Sequence, residues 1–233
     1  MNLAVLSMDG FLFLMRWFHI FFGIIWIGHL YYFNFVQGTF FAETDATTKS
    51  NAIQKLVPRA LWWFRWGAMF TLITGLIILG GMGHQNPATF GTARGVLILT
   101  GAALAFFMWF NVWFVIWPNQ KIVIANAVDT AAGKPANPAA AGAAARAGVA
   151  SRTNVLFSIP MIFFMASSTH LPLVITPDKS LMGLVAALAV IILGLEANAL
   201  KGKTGPMTTV KGVIHCGLGL TVVLYLVMEF LTK

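Results

Sequence analysis

The sequence predicts an all-α integral membrane protein, a bundle of about six transmembrane helices with both termini on the outer, periplasmic side. Three observations support this fold class. The 233-residue chain is 58% hydrophobic and only 9% charged, whereas a soluble domain carries about 25% charged residues. Its apolar residues are gathered into six long runs, and its basic residues are unevenly divided among the connections. We therefore expect a multi-pass protein of the bacterial inner (cytoplasmic) membrane.

Six segments have the roughly 20 apolar residues that a helix needs to cross the hydrocarbon core. In chain order they are 11–36, 59–82, 94–117, 153–176, 180–200 and 209–231. We expect them to form one transmembrane domain over residues 1–233. The cytoplasmic connection 118–152 is rich in alanine and interrupted by Pro118, Pro135 and Pro138, so we predict a surface helix and a flexible turn there. No basic region precedes the first apolar segment, so a cleaved signal peptide is not expected.

The basic residues predict the orientation. Eleven Lys and Arg residues lie in or beside the connections that follow the first, third and fifth segments, while Arg94, Lys179 and Lys233 lie on the opposite side. By the positive-inside rule, the first group is cytoplasmic and both termini are outside. The formal net charge of +8 is therefore mainly a signal of topology. Its scattered distribution does not predict a nucleic-acid partner.

Four of the five histidines lie inside apolar segments, at two depths. An ionisable side chain is costly in hydrocarbon, so each of them is a functional hypothesis. At a rise of about 1.5 Å per residue, His19 and His170 lie about 12 and 9 Å from the outer end of their helices. On the same estimate, His29 and His215 lie about 10 and 9 Å from the inner end. His84 is available from the outer connection after the second segment.

Two imidazoles that face each other from different helices are the ligand set of a bis-histidine haem b. The spacing permits one haem at the outer level, with His19, His170 and His84 as candidate ligands of the haem iron. A second haem at the inner level would use His29 and His215. The single cysteine leaves no CxxCH motif for a covalent c-type haem. Alternatively, each histidine is a hydrogen-bonded core residue.

Other polar residues within the segments extend this candidate site. Arg16 lies one helical turn from His19, and Arg65 lies in the run WWFRW on the inner side. Each is placed to meet a haem propionate, although Arg65 can equally extend to the interface beside its tryptophans. Asn111 and Glu196 can orient an inner-level histidine through a hydrogen bond. They can also serve to join helices.

Four blocks resemble the membrane domain of the bacterial cytochrome c-linked urate oxidase family. They are RWFHIFFGIIWIG (16–28), WWFRW (62–66), NVWFVIWPNQKI (111–122) and RAGVASRTNVLFSIPMIFFMASSTHLP (146–172). Their shared order covers most of the chain through the fourth segment, with weaker similarity in the last two. The first block alone is less specific, because several small membrane haem proteins carry a similar first helix.

The resemblance implies a multi-helix membrane domain that oxidises urate and passes electrons to a c-type cytochrome. It supports His19 and His170 as functional positions, and it places Asn111 and Arg65 in the same core. The cytochrome c domain that is fused to this domain in the family is not in the present chain, which ends at Lys233. We therefore expect the electron acceptor to be a separate protein.

Three functions remain open. The sequence favours a haem b redox protein or subunit in the lipid bilayer that passes electrons to a c-type cytochrome or another respiratory-chain subunit, within an oligomer or supercomplex. The second is a catalytic urate oxidase-like enzyme, in which Arg16, His84 and Arg94 supply positive charge to an outer pocket. The third is a non-redox scaffold subunit, in which the histidines are core residues. The electron donor, whether urate, quinol or another chain, is left open.

Overall fold

A computed structural model of the chain describes residues 3–171, 173–176 and 179–233. Over these residues it is all-helical and contains six helices long and apolar enough to cross a membrane, as the sequence predicts. With one short connecting helix, we label them α1 (Met8–Glu43), α2 (Ala46–Lys55), α3 (Val57–Gln85), α4 (Ala93–Ala131), α5 (Ala140–His170), α6 (Leu181–Lys201) and α7 (Val210–Thr232). Large side chains that stay exposed, such as Ile24, Val190 and Phe230, are those expected to contact lipid.

The connection between the third and fourth spans is shorter than predicted. The separate surface helix expected within 118–152 does not form, because α4 continues to Ala131 and α5 already begins at Ala140. Alanine is the strongest helix former, so the alanine-rich stretches extend the two spanning helices beyond their apolar parts. Pro135 and Pro138 lie in the non-helical turn between them. At its other end α5 ends at His170, earlier than the predicted residue 176, and Pro172 lies outside the described residues.

Two closely packed helix pairs form much of the bundle. α1 packs along α3, and α4 packs along α5, which also contacts α6 and α7. Small residues permit this close approach: a Cβ at Gly67 would lie 3.1 Å from the backbone N of Trp26, and one at Gly101 would lie 3.3 Å from the carbonyl O of Met161. The two pairs contact each other at fewer positions, and α1 is not a packed neighbour of α7.

The six spans alternate in direction. At one end of the bundle the side chain of Gln85 donates to Asp9 at 2.9 Å, which joins the end of α3 to the start of α1. The backbone N–H of Thr176 donates to the carbonyl of Thr232 at 2.8 Å, which joins the α5–α6 connection to the end of α7. We call the end at which α1 begins and α7 ends the terminal end, and the other the far end. That the terminal end is periplasmic stays a prediction from the basic residues.

Two widened helical turns interrupt the regular helices. Residues Tyr32–Gln37 of α1 and Asn111–Ile116 of α4 are π-helical. Such turns are rare and often accompany functional sites. Each begins near a buried asparagine, Asn34 in α1 and Asn111 in α4. The π-helical turns therefore bring amide side chains into the interior of an otherwise apolar bundle.

Candidate functional site

A cavity of about 420 Å³ lies at the terminal end, between the α1–α3 pair and the α4–α5 pair. Along α1 it extends from Arg16 to Trp26, about 15 Å at the rise of an α-helix. Most of its walls are aliphatic or aromatic. Three lining residues, Ile20, Leu76 and Phe106, are also exposed, so the cavity reaches the apolar surface of the bundle. Its volume is within the range of about 300–1,000 Å³ that is typical of cofactor and ligand sites.

His19 of α1 lines this cavity. Its Nδ1 lies 2.9 Å from the carbonyl O of Thr71 and 3.2 Å from Oγ1 of Thr74. A carbonyl can only accept, so Nδ1 carries the proton and donates to Thr71, and Nε2 keeps its lone pair. Gly75 leaves room for the ring, because a Cβ there would lie 3.0 Å from Cε1 of His19. A metal-ligating histidine is usually held in this way, through its second nitrogen.

Two arginines and one tryptophan add to the polar part of the cavity. Arg16 and Arg94 line it from α1 and α4, and neither has a carboxylate partner within 4.0 Å among the described residues. Trp26 is only 1% exposed, and its Nε1 is buried without a hydrogen-bond partner in the described part of the chain. The cavity therefore offers two positive charges and one unused N–H donor to an occupant with acidic or carbonyl oxygens.

The structure does not bring the other outer-level histidines into this cavity. His170 is exposed at the end of α5 and does not line it, although the preceding residues Ser168 and Thr169 do. His84 is exposed near the end of α3 and also lies outside the lining. The predicted pairing of His19 with His170 is therefore not visible as a shared cavity.

The two inner-level histidines lie on helices that are not packed neighbours. Nδ1 of His29 lies 2.7 Å from the carbonyl O of Ile25, and Nδ1 of His215 lies 2.7 Å from that of Lys211, in each case one turn earlier in the same helix. His215 is exposed. Since α1 and α7 do not pack together, the structure does not bring these rings together.

Arg65 stacks on tryptophans and does not line the terminal cavity. Its guanidinium carbon lies 3.5 Å from the ring centroid of Trp117 and 5.4 Å from that of Trp113, both on α4. Its Nε donates to the carbonyl of Leu61 at 3.3 Å. Cation–π contact and its own helix thus account for the buried part of this side chain. The structure shows Arg65 beside tryptophans of α4 rather than those of its own WWFRW run, and its place at the membrane interface stays a prediction.

Asn111 joins helices and contacts no histidine. Its Nδ2 donates to Oδ1 of Asn154 at 3.0 Å and to Oε2 of Glu196 at 3.0 Å, so one amide connects α4, α5 and α6. Asn154 in turn donates to the carbonyl of Met108 at 2.9 Å. The expected contact from Asn111 or Glu196 to an inner-level histidine is not formed, and the interhelical alternative is the one observed.

Comparison with known proteins identifies the family. Residues 77–226, more than half of the chain, match the family described as "Urate oxidase N-terminal". The chain belongs to this family. No curated protein and no solved structure shows a significant match to the chain.

The match to the urate oxidase N-terminal family extends from the last third of α3 to the last turns of α7. It contains the blocks 111–122 and 146–172, and it reaches further towards the C-terminus than the sequence blocks suggested. The blocks 16–28 and 62–66 precede it. His19 and Arg16 therefore lie outside the matched range, whereas Arg94 and the α5 residues that line the same cavity lie inside it.

The residues of the terminal cavity fit part of what a haem b needs. His19 would supply one imidazole through Nε2, the walls are largely apolar, and Arg16 and Arg94 would pair with the two propionates. No second histidine lines the cavity, while the thioethers of Met82 and Met165 do. Within the described residues there is no group of three or more His, Cys, Asp or Glu that could hold a metal ion on its own.

Sequence reasoning missed the residues that shape this cavity from α3. Thr71 and Thr74, which hold His19, are three residues apart and lie on one face of an apolar helix, a spacing that could have signalled them. Trp26 could not be singled out, because nothing in the sequence shows that its N–H lacks an acceptor.

Proposed function

We propose that this chain is the membrane domain of a urate-oxidising redox system, in which the terminal cavity holds one haem b and a separate c-type cytochrome accepts the electrons. The observation that carries the proposal is His19, whose Nδ1 is bonded to Thr71 and whose Nε2 is free at a cavity of cofactor size. Membership of the urate oxidase N-terminal family supports the substrate class. A haem b supplies one-electron transfer when bound.

The chain's own residues bind and orient. The carbonyl of Thr71 holds His19 in the tautomer that keeps a lone pair on Nε2, and Thr74 restrains the same edge of the ring. Arg16 and Arg94 would balance the negative charge of the propionates of a bound haem. The aliphatic walls exclude water, which strengthens these charge interactions.

The proposal is restricted to one haem. The inner-level histidines lie on helices that do not pack together, and Nδ1 of each is hydrogen-bonded to a carbonyl of its own helix. His170 stays a candidate haem ligand only through its nearness in sequence to Ser168 and Thr169. The predicted periplasmic location of the terminal end places the cavity on the side where a soluble c-type cytochrome can dock.

Haem content of purified variants tests the proposal. We expect about one b haem per wild-type chain by pyridine haemochrome assay, and loss of most of it in His19→Ala, because that substitution removes the free imidazole. His84→Ala is the matched control, since His84 lies outside the cavity, and it should keep the wild-type content. Equal haem content in the two variants would remove His19 as a ligand. A folded wild-type chain without haem would favour the scaffold function.

A second function uses the same cavity as the substrate site. Arg16, Arg94 and the unused N–H of Trp26 can bind a planar anion with carbonyl oxygens such as urate. In that case urate should bind the haem-free chain directly, and Arg94→Gln should weaken that binding. Urate binding that depends on haem, or that is indifferent to Arg94, would exclude this second function.

A further inference from the structure

A second cavity lies at the far end of the bundle and has a different character. Its volume is about 270 Å³, and residues from α1, α3, α4, α5 and the α6–α7 connection line it. The polar residues of the lining are Asn34, Gln37, Gln120, Ser151, Arg152 and Thr204. A cavity of this size, below the usual range for drug-sized ligands, suits a small occupant.

Arg152 of α5 brings an unbalanced positive charge to this cavity. Its Nη1 is buried and has no hydrogen-bond partner among the described residues. No Asp or Glu in the described part of the chain lies within 4.0 Å of its guanidinium. The side chain as a whole is only partly buried, but a buried guanidinium N–H without an acceptor is costly, and arginine pairs well with a carboxylate or a phosphate. Arg152 is therefore available to an anion that is not part of the chain.

Gln37 brings an unpaired hydrogen-bond acceptor to the same cavity. Its Oε1 is buried and no donor in the described residues reaches it. Gln37 is the last residue of the π-helical turn in α1, which presents both Asn34 and Gln37 to the cavity. The amide of Asn34 is already used, because its Nδ2 donates to Ser151 at 2.8 Å and to the carbonyl of Leu30 at 2.9 Å. The unmet needs are thus an acceptor for Arg152 and a donor for Gln37.

We propose that the far cavity binds a small oxyanion that also carries an O–H or N–H donor, with Arg152 binding its negative oxygens and Gln37 accepting its hydrogen. Free hydrogen phosphate has this chemistry, and so does the singly protonated phosphate monoester headgroup of a lipid. The two unpaired atoms and the shared cavity carry this inference, which does not depend on a haem or on urate oxidation. The site lies at the opposite end of the bundle from His19.

Two anions of equal charge and similar shape test the proposal on the unmodified protein. At about pH 8, hydrogen phosphate and sulfate are both dianions, but only hydrogen phosphate has an O–H to donate. In nanodiscs of phosphatidylcholine we expect both to bind by calorimetry, with hydrogen phosphate about three- to tenfold tighter, the worth of one hydrogen bond. Absence of binding by either anion would overturn the proposal.

Variants assign the two contacts. Arg152→Gln should weaken the binding of both anions by about tenfold or more, since it removes the positive charge and the paired N–H donors of the guanidinium together. Arg146→Gln is the matched control on the same helix, outside the cavity, and should bind as wild type. Gln37→Leu should abolish the preference for hydrogen phosphate, while Gln54→Leu, on α2, should keep it. Should Arg152→Gln not fold, Arg152→Lys keeps the charge and should still weaken binding through loss of the bidentate geometry.

Lipid composition separates the two sources of the anion. If a lipid headgroup occupies the cavity, nanodiscs that contain phosphatidic acid should raise the unfolding temperature of the wild type but not of Arg152→Gln, and added phosphate should then bind weakly. If a free anion occupies it, phosphatidic acid should leave phosphate binding unchanged. Either result supports the site. Phosphate binding that is identical in Arg152→Gln and Arg146→Gln would place any bound anion elsewhere.

Discussion

The packing of the His19 ring against α3 can be tested by adding a single methyl group at Gly75. A Cβ at Gly75 would lie 3.0 Å from Cε1 and 3.4 Å from Nδ1 of His19, so in Gly75→Ala the ring must move by a few tenths of an ångström. That shift strains the 2.9 Å hydrogen bond to Thr71, a bond worth about 0.5–1.5 kcal/mol. Gly80→Ala, on the same helix, is the control, because a Cβ there meets nothing within 4 Å.

Both substitutions add the same helix propensity, up to about 1 kcal/mol, so the difference between them isolates the contact. We expect Gly75→Ala to be less stable than Gly80→Ala by about 1 kcal/mol in reversible unfolding of the nanodisc-embedded chain. We also expect it to bind less haem than Gly80→Ala. Equal stability and equal haem content in the two variants would mean that Thr71 and Gly75 do not hold the ring in place.

Three further predictions concern other parts of the bundle. Asn111→Ala should destabilise the chain by about 2–4 kcal/mol, because the buried acceptors on Asn154 and Glu196 lose their donor. Asn119→Ala, on the same helix, should cost less than about 1 kcal/mol, and chemical unfolding of the two variants measures the difference. Arg65→Gln should cost about 0.5–2 kcal/mol and change the tryptophan fluorescence, since it removes the guanidinium 3.5 Å from Trp117; an unchanged spectrum would contradict the stacking. Hydrogen bonds from the first turn of α2 lower the pKa of Asp45. The protection of α2 amides from hydrogen exchange should therefore persist at neutral pH and fall as the pH falls through that lowered pKa. Asp45→Ala should show the low protection at every pH.

Composition was sufficient to predict the six spans. Their apolar runs must be satisfied as helices in lipid, so hydropathy places each span to within several residues at most ends. It does not show where a helix stops. The alanine-rich residues between 118 and 152 leave the apolar pattern but keep a strong helix propensity, and α4 and α5 therefore continue through most of them.

Depth along a helix was a weaker guide to the site than packing. The rise per residue places His29 and His215 at matching levels, but it says nothing about which helices are neighbours, and α1 and α7 do not pack together. In the same way, the sequence placed Arg65 beside the tryptophans of its own run, but its partners in the structure are Trp113 and Trp117 of α4. His19 was found because a histidine in hydrocarbon is rare, whereas Thr71, Gly75 and Trp26 are ordinary residues whose roles depend on tertiary contacts.

The most direct test is the reduced-minus-oxidised absorption spectrum of the purified chain, recorded without oxygen before and after urate is added. We expect a b-type α band from about one haem per chain. We also expect urate to generate the same band in the wild type and not in His19→Ala. A well-folded chain that carries no haem, or a haem band that urate and the His19 substitution both leave unchanged, would contradict the proposed function.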